Sequence, residues 1–386
     1  MIQRRDHRLP GYARTALFAA GPTFAQYRSD GVNMAWSADA LGKSIMKKSS
    51  THDDSPLSKP LGARPASSVI VDRETVELKR LEKRIGRVHL RQRLGIEIDH
   101  ATQVFGHGRT FFHIENWYSI HSLLRLSLHC LGLYRRGVRN AIAIQINHNE
   151  VVIPELPEAL HDFTLLHLSD LHLDMDGGYP AALIERLEQV RYDVCVMTGD
   201  FRAKTHGSHE AAIEALAQVR PHLRGPIYAI LGNHDSIRMV PDIEALGIGV
   251  LLNESVILER GGAFIHLAGI DDPHFFQVDN FDKAAQNIPP DALAILLSHS
   301  PEPYRLAAHA GFDLMLSGHT HGGQICLPGG VALMTNADCP RRFCRGAWRY
   351  HQMQGYTSAG SGSSVVGVRF NCPPEITLHH LRAQPA

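Results

Sequence analysis

The chain has 386 residues, with 39 Lys and Arg against 39 Asp and Glu and a formal net charge of zero, so bulk charge gives no argument for a nucleic-acid partner. A hydrophobic share of 44% beside 20% charged residues is an ordinary globular balance, enough for one large domain with an extension or for two domains. No apolar run approaches the roughly 20 residues that span a membrane as a helix, and six cysteines without a CxxC pair read as reduced thiols of a cytosolic protein rather than a disulfide framework.

At the N-terminus Arg4 and Arg5 precede a short apolar stretch that Arg14, Gly21 and Pro22 interrupt. Two readings stand: an export signal, or a chain whose translation starts at Met34 or Met46. Residues 1–72 are polar and rich in Ser, Pro, Asp and Lys, a composition that predicts disorder. Val76, Leu78, Leu81, Ile85, Val88 and Leu94 recur at helical spacing and predict a helix over 74–94. A second helix is predicted over 117–138, dense in Leu and punctuated by Arg125, Arg135 and Arg136. It reads either as a helix packed on the following domain or as a basic amphipathic helix lying on an anionic membrane. Residues 73–160 are therefore expected to form a helical extension before a domain over 161–386.

From Phe163 short β-rich runs alternate with helical patterns. FTLLHLS, DVCVMTG, IYAILG, FIHLAGI, ALAILLS and DLMLSG read as strands, and AALIERLEQV and HEAAIEALAQV as helices. Apolar runs this short, bounded by turns, predict a layered α/β domain with a buried sheet. The final SVVGVRFNCPPEITLHHL reads as two strands that finish the sheet.

Polar clusters follow these runs. They are Asp170 and His172, then Gly199 and Asp200, then Gly232, Asn233, His234 and Asp235, then Ser298 and His299, then Gly318, His319, Thr320 and His321. The carboxyl ends of strands are where sites form in open α/β sheets, so these clusters are expected to converge on one edge. Two carboxylates, an amide oxygen and several imidazoles suit Mn, Fe or Zn better than Ca or a thiolate-rich zinc site. Two such ions, sharing a carboxylate, can clamp a phosphoryl oxygen and lower the pKa of a water between them.

DLH, GD, GNHD, SH and GHTH, in this order, resemble the calcineurin-like metallophosphoesterases over about residues 163–380. SDLH, LLSHSP and SGHTHGGQ, with a PEI segment near the end, look most like the bacterial YkuE-like branch. The resemblance implies a four-layer α/β/β/α sandwich of two mixed sheets flanked by helices. It implies a binuclear centre of two divalent ions, Mn favoured over Fe or Zn, with a metal-bridging hydroxide as nucleophile. Asp170, His172 and His321 would bind the first ion, Asn233, His299 and His319 the second, and Asp200 would bridge both. His234 would protonate the leaving oxygen, with Asp235 holding its ring in the right tautomer. Some relatives of this branch act in lipid A synthesis on the pyrophosphate of UDP-diacylglucosamine. The 117–138 helix and the cluster Arg341, Arg342, Arg345 and Arg349 would fit such a substrate at the inner membrane.

Other residues carry two readings each. His167 and His266 read as structural or surface histidines, and Asp174 and Asp176 as a solvated loop or a support for the site. Lys204 and His206 are candidate substrate contacts or surface residues. Cys339 and Cys344 are close enough for a metal site but lack two more nearby ligands. The Gly-rich 360–367 reads as a turn near the site, not a nucleotide loop. The leading function is a phosphodiesterase or phosphomonoesterase, monomeric, cytoplasmic and peripheral at most to a membrane. The alternatives are a non-catalytic metal-binding scaffold and a metal-dependent amidase.

Overall fold

The computed structural model describes residues 66–105, 118–175, 178–364 and 366–384; the readings of residues 1–65, Arg4 and Arg5 included, and of Asp176 lie outside the described residues. Two helices come first, α1 (Ala66–Ile85) and α2 (Arg87–Phe105). They separate at Gly86, whose φ of 94° is left-handed and cheap only for glycine. The single helix expected over 74–94 is thus two, and α1 begins inside the stretch whose composition predicted disorder. Leu81, Ile85 and Leu90 of this pair are buried in the same core as Leu166, Leu183 and Leu216.

The predicted helix over 117–138 is also two, α3 (Tyr118–Cys130) and α4 (Tyr134–Ala141), joined by a turn in which Gly132 has a φ of 67°. Next comes β1 (Gln145–Ile153), which pairs in parallel with the last strand of the chain. The first sheet therefore starts ahead of residue 161 and inside the segment expected to be helical. QINHNEVVI alternates only weakly because it is an edge strand, with one neighbour and half-exposed side chains.

The remaining elements follow in order: β2 (Thr164–Leu168), α5 (Tyr179–Leu187), β3 (Val194–Met197), α6 (Glu210–Val219), β4 (Ile227–Ala229), α7 (Val240–Ala245), β5 (Gly249–Val250), β6 (Glu254–Arg260), β7 (Ala263–Gly269), α8 (Phe281–Ala285), β8 (Ala294–Leu297), α9 (Tyr304–His309), β9 (Leu314–Ser317), β10 (Cys326–Leu327), β11 (Val331–Ala332), β12 (Gly346–Tyr350), β13 (Met353–Thr357) and β14 (Glu375–Ala383). One six-stranded sheet has the order β1-β14-β2-β3-β4-β5 and the other β12-β13-β9-β8-β7-β6. Both are mixed: β2 to β5 run parallel with β14 antiparallel beside β2, and β13, β9, β8 and β7 run parallel with β12 and β6 antiparallel at the edges. The two strands expected in 364–381 reduce to β14; ahead of it Phe370 makes only an isolated bridge to Ile325.

Alternate residues of the same strands feed different cores, which is why these strands read as unbroken apolar runs. Leu165, Val194 and Val196 point at Ile295, Leu297, Leu314 and Leu316 of the second sheet. Leu166, Leu168, Cys195 and Met197 point the other way, at the helices that cover the first sheet. On the far side Leu296 and Met315 pack on Tyr304, Ala307, Phe343 and Trp348. The result is two mixed sheets face to face, with helices on both outer surfaces.

The α3–α4 pair attaches separately. Leu124, Leu128, Tyr134 and Val138 pack on Ile325, Val366, Val368 and Phe370. Gly137 lies so close to Val368 and Phe370 that a Cβ there would approach their side chains to 2.7–2.9 Å. Gly137→Ala is expected to push α4 off this segment and to destabilise by about 1–3 kcal/mol, the usual cost of overpacking. A melting temperature equal to that of the wild type would contradict this packing.

Candidate metal centre

The β2, β3 and β4 strands of the first sheet and β8 and β9 of the second end at one seam. The residues that follow them turn inward there: Asp170 and His172, Asp200, Asn233 and His234, His299, and His319 and His321. All are buried. Turning sharply off a strand end strains the backbone: Asp170, His172, Asp200, His319 and His321 have φ of 51°, 41°, 58°, 69° and 48°. Left-handed φ in non-glycine residues costs on the order of 1–3 kcal/mol each and clusters at functional sites. Two glycines make the crowding possible: a Cβ on Gly232 would overlap Asp200 Oδ1, and one on Gly318 would overlap Ser169 Oγ and Asp170 Oδ2.

Three donor groups result, namely Asp170, His172 and His321; His172, Asp200 and His234; and Asp200, His299 and His319, with the ligand atoms of each within 4.8 Å of one another. Asp200 belongs to two of them. Its Oδ2 lies 3.4 Å from His299 Nε2, 3.8 Å from His172 Nε2 and 3.9 Å from His234 Nε2. On the second side, Asn233 Oδ1 lies 2.8 Å from His299 Nε2 and 2.9 Å from His319 Nδ1. On the first side, His172 Nε2 and His321 Nε2 are 3.1 Å apart, and His321 Nε2 is 3.6 Å from Asp170 Oδ1.

The outward nitrogens show that this is a site built for cations. His172 Nδ1 sits 2.8 Å from the Arg202 carbonyl, His299 Nδ1 2.7 Å from the Thr198 carbonyl and His319 Nε2 2.8 Å from the Asn336 carbonyl. Each carbonyl accepts an N–H and turns the other ring nitrogen toward the donor groups, as in metal-binding histidines. His321 is the exception: Arg369 Nη2 lies 3.2 Å from its Nδ1. Burial, His172 and Arg369 together push its pKa well down. The donor set therefore suits divalent metal ions.

Asp235 does not hold the His234 ring as expected. The His234 Nδ1 is 2.7 Å from the Ala203 carbonyl, which fixes its tautomer and aims Nε2 at the site. The Asp235 carboxylate instead accepts from the backbone N–H groups of Asp200 (2.7 Å), Phe201 (2.8 Å) and Gly232 (2.9 Å). It orients Asp200 rather than the histidine ring. Asp174 is a loop support, accepting from the Ala203 N–H at 2.6 Å. His167 is a buried structural histidine, 2.9 Å from Thr198 Oγ1, and burial lowers its pKa to about 3. The 360–367 turn does abut the site, with Ser361 N–H and Gly362 N–H donating to the Ser169 and Asp170 carbonyls at 2.8 and 3.0 Å. Cys339 and Cys344 lie with sulfurs 3.6 Å apart and join none of the donor groups found among the described residues.

Arg369 and Arg202 had no signal in the sequence. Arg369 is fully buried and donates to the carbonyls of Gly362 (2.6 Å) and Ala359 (2.7 Å) as well as facing His321. Arg202 donates to the carbonyls of His234 (2.5 Å) and Gly207 (2.8 Å). Both hold backbone beside the donor groups.

Proton competition follows from the electrostatics. Burial raises the Asp170 pKa to about 6. For His299 burial acts downward, but Asp200 and Asp170 prevail and hold its pKa well above the usual value. A bound cation requires Asp170 ionised and His299 neutral, so binding must release these protons. Mn²⁺ affinity is expected to rise with pH from about pH 5 to about pH 7, across the Asp170 pKa of about 6, by up to about tenfold per unit for each proton released. Calorimetric titration across that range checks it, and a pH-independent affinity would contradict the assignment.

Comparison with known proteins agrees with this geometry. Residues 163–323, which contain every residue of the three donor groups, match the sequence model of the calcineurin-like phosphoesterase family. The chain is 28% identical over 259 residues to the uncharacterized metallophosphoesterase YkoQ of Bacillus subtilis, covering 64% of this chain and 94% of that protein. It is 27% identical over 238 residues to the phosphodiesterase YaeI of Escherichia coli, covering 57% and 82%. It is 27% identical over 240 residues to the uncharacterized metallophosphoesterase YkuE of Bacillus subtilis, covering 59% and 82%. The order of motifs and the two-sheet fold agree with this match, and over residues 163–323 the chain is similar to the calcineurin-like phosphoesterase family.

Proposed function

We propose that this chain is a metal-dependent phosphoester hydrolase with a two-ion centre, Asp170, His172 and His321 holding one ion, Asn233, His299 and His319 the other, and Asp200 bridging them. The observation that carries this is the position of Asp200, whose carboxylate is common to donor groups on both sides of the seam. Mn²⁺ is the favoured ion, with Fe or Zn as the alternatives that imidazole and carboxylate ligands also suit. Divalent ions bound there would supply Lewis acidity to a phosphoryl group and would make a water more acidic.

The protein supplies orientation and a proton. Asp235 fixes the backbone of Asp200, and the three carbonyls of Arg202, Thr198 and Asn336 fix the rings of His172, His299 and His319. His234 has its Nδ1–H committed to the Ala203 carbonyl, so its mobile proton sits on Nε2, on the side of the site. That is where the oxygen leaving phosphorus would need it. The printed name of YaeI, a phosphodiesterase, supports a diester as substrate.

The substrate class is read from the surface. Leu123, Leu126, Leu131 and Leu133 of the α3–α4 pair are exposed among exposed Arg125, Arg135, Arg136 and Arg139, and no acidic residue occurs from 117 to 141. Leu327, Val331, Leu333 and Met334 are exposed on the β10–β11 hairpin. That hairpin adjoins the site through Asn336 and Gly323, and Ile325 at its base shares a cluster with α3 and α4. Apolar side chains among cations suit the surface of an anionic bilayer, which supports a lipid-linked phosphoester or pyrophosphate as substrate. None of the described helices is long and apolar enough to cross a membrane.

Asp200→Asn is expected to lose both ions and activity together, whereas His234→Ala is expected to keep its ions and lose about 10²–10⁴-fold in kcat on an aryl phosphodiester with Mn²⁺. Metal analysis of the two variants checks the roles; loss of ions from His234→Ala would make that residue a ligand. A wild-type protein that binds ions and turns over no phosphoester would favour the non-catalytic scaffold. Sedimentation with vesicles tests the surface. Binding is expected with phosphatidylglycerol and is expected to weaken for Leu126→Asp, and equal recovery with neutral vesicles would remove the lipid-linked reading.

A further inference from the structure

The α2 helix lies outside the segment that matches the family, yet it reaches the metal centre. Arg93 and Glu97 stand one turn apart on it and so share a face. Arg93 is fully buried. Its Nη2 donates to the carbonyls of Asp235 at 2.9 Å and Gly232 at 3.3 Å. Its guanidinium carbon lies 3.2 Å from the centroid of the Phe276 ring. Its Nε is 3.6 Å from Glu97 Oε1 and 3.8 Å from Asp271 Oδ1. Glu97 accepts from Ser236 Oγ and from the Ile237 N–H, both at 2.7 Å. One turn further on, His100 Nε2 lies 2.9 Å from Thr205 Oγ1, in the loop whose Ala203 carbonyl fixes His234.

The arrangement is a two-point grip. Arg93 holds the carbonyls at the start and middle of Gly232–Ile237, and Glu97 holds the donors at its end. Asn233 and His234 lie between. A buried guanidinium beneath a loop is an expensive way to obtain stability, because apolar side chains of equal volume fill such space at less desolvation cost. What it provides that an apolar residue cannot is a fixed direction for two carbonyls.

We propose that Arg93 and Glu97 are positioning residues of the metal centre, so that the N-terminal helices complete the active site by holding Asn233 and His234 in place. This rests on the reading of Asn233 as a ligand and His234 as the acid. The test compares wild type, Arg93→Met and Arg93→Lys in the full chain by three readouts. These are amide hydrogen exchange of 232–237 in the metal-free protein, Mn²⁺ titration by calorimetry, and kcat and KM on an aryl phosphodiester per metal-loaded molecule. In Arg93→Met, exchange of 232–237 is expected to quicken about tenfold, the weaker Mn²⁺ site to lose about tenfold in affinity, and kcat to fall about 10–100-fold with KM within about threefold, as for a displacement near 1 Å. Arg93→Lys, which can still donate to both carbonyls, is expected to recover most of each effect. A folded Arg93→Met with wild-type exchange and wild-type Mn²⁺ affinities overturns the proposal. If Arg93→Met does not fold, Glu97→Gln decides: faster exchange at 232–237 and weaker Mn²⁺ binding support the grip, and wild-type values overturn it. If the wild type binds Mn²⁺ and hydrolyses nothing, the hydrolase reading falls, while exchange and titration still decide the role of Arg93.

Discussion

The carboxylate of Asp235 accepts the backbone N–H groups of Asp200, Phe201 and Gly232, and so ties the turn after β3 to the turn after β4. Those strands are parallel neighbours, so the turns leave the sheet side by side. Without a shared acceptor their amides would be buried and unpaired, which costs about 1–3 kcal/mol per group. With it, Asp200 is pinned in its left-handed conformation at the centre of the seam. The acceptor is itself under stress: burial and the nearby Asp200 raise the Asp235 pKa, and the Gly232 N–H and Arg202 oppose them. Every donor group that includes Asp200 depends on this one carboxylate.

The same logic extends outward. Strained residues stay strained only where rigid surroundings over-determine them. Here the rigidity comes from strands packed on both faces, with Leu165, Val196 and Leu297 in one core and Leu168 and Met197 in another. Carbonyls of loop residues then fix the histidine rings, and buried arginines fix the loops. Arg202 holds the His234 carbonyl, Arg369 the 359–362 turn, and Arg93 the Gly232 and Asp235 carbonyls. Three cations directed at backbone surround the donor groups.

Much of this was legible in the residues. The six strand runs read from FTLLHLS to DLMLSG each yield a strand, because two buried faces make a strand uniformly apolar. The clusters from Asp170 to His321 were legible because polar residues bounded by glycine after such runs have few other uses. What failed did so for physical reasons. The resemblance implied that Asp235 holds the His234 ring, but its carboxylate turns to the backbone amides of the neighbouring turn. Arg93 sits among other basic residues on α2, and only the fold shows that it is buried while Arg91 is exposed. Arg369 lies in an apolar run that looked like a strand interior. The β12 and β13 strands carry Trp348, Arg349, Gln354 and Gly355, a pattern too mixed to read before their neighbours are known.

The central claim is that Asp200 lies between two ions. Anomalous diffraction at the manganese edge from crystals grown with Mn²⁺ tests it most directly. The account predicts two peaks separated by about 3.5–4 Å, one on each side of the Asp200 carboxylate. A single peak, or two peaks that do not share Asp200, would contradict it.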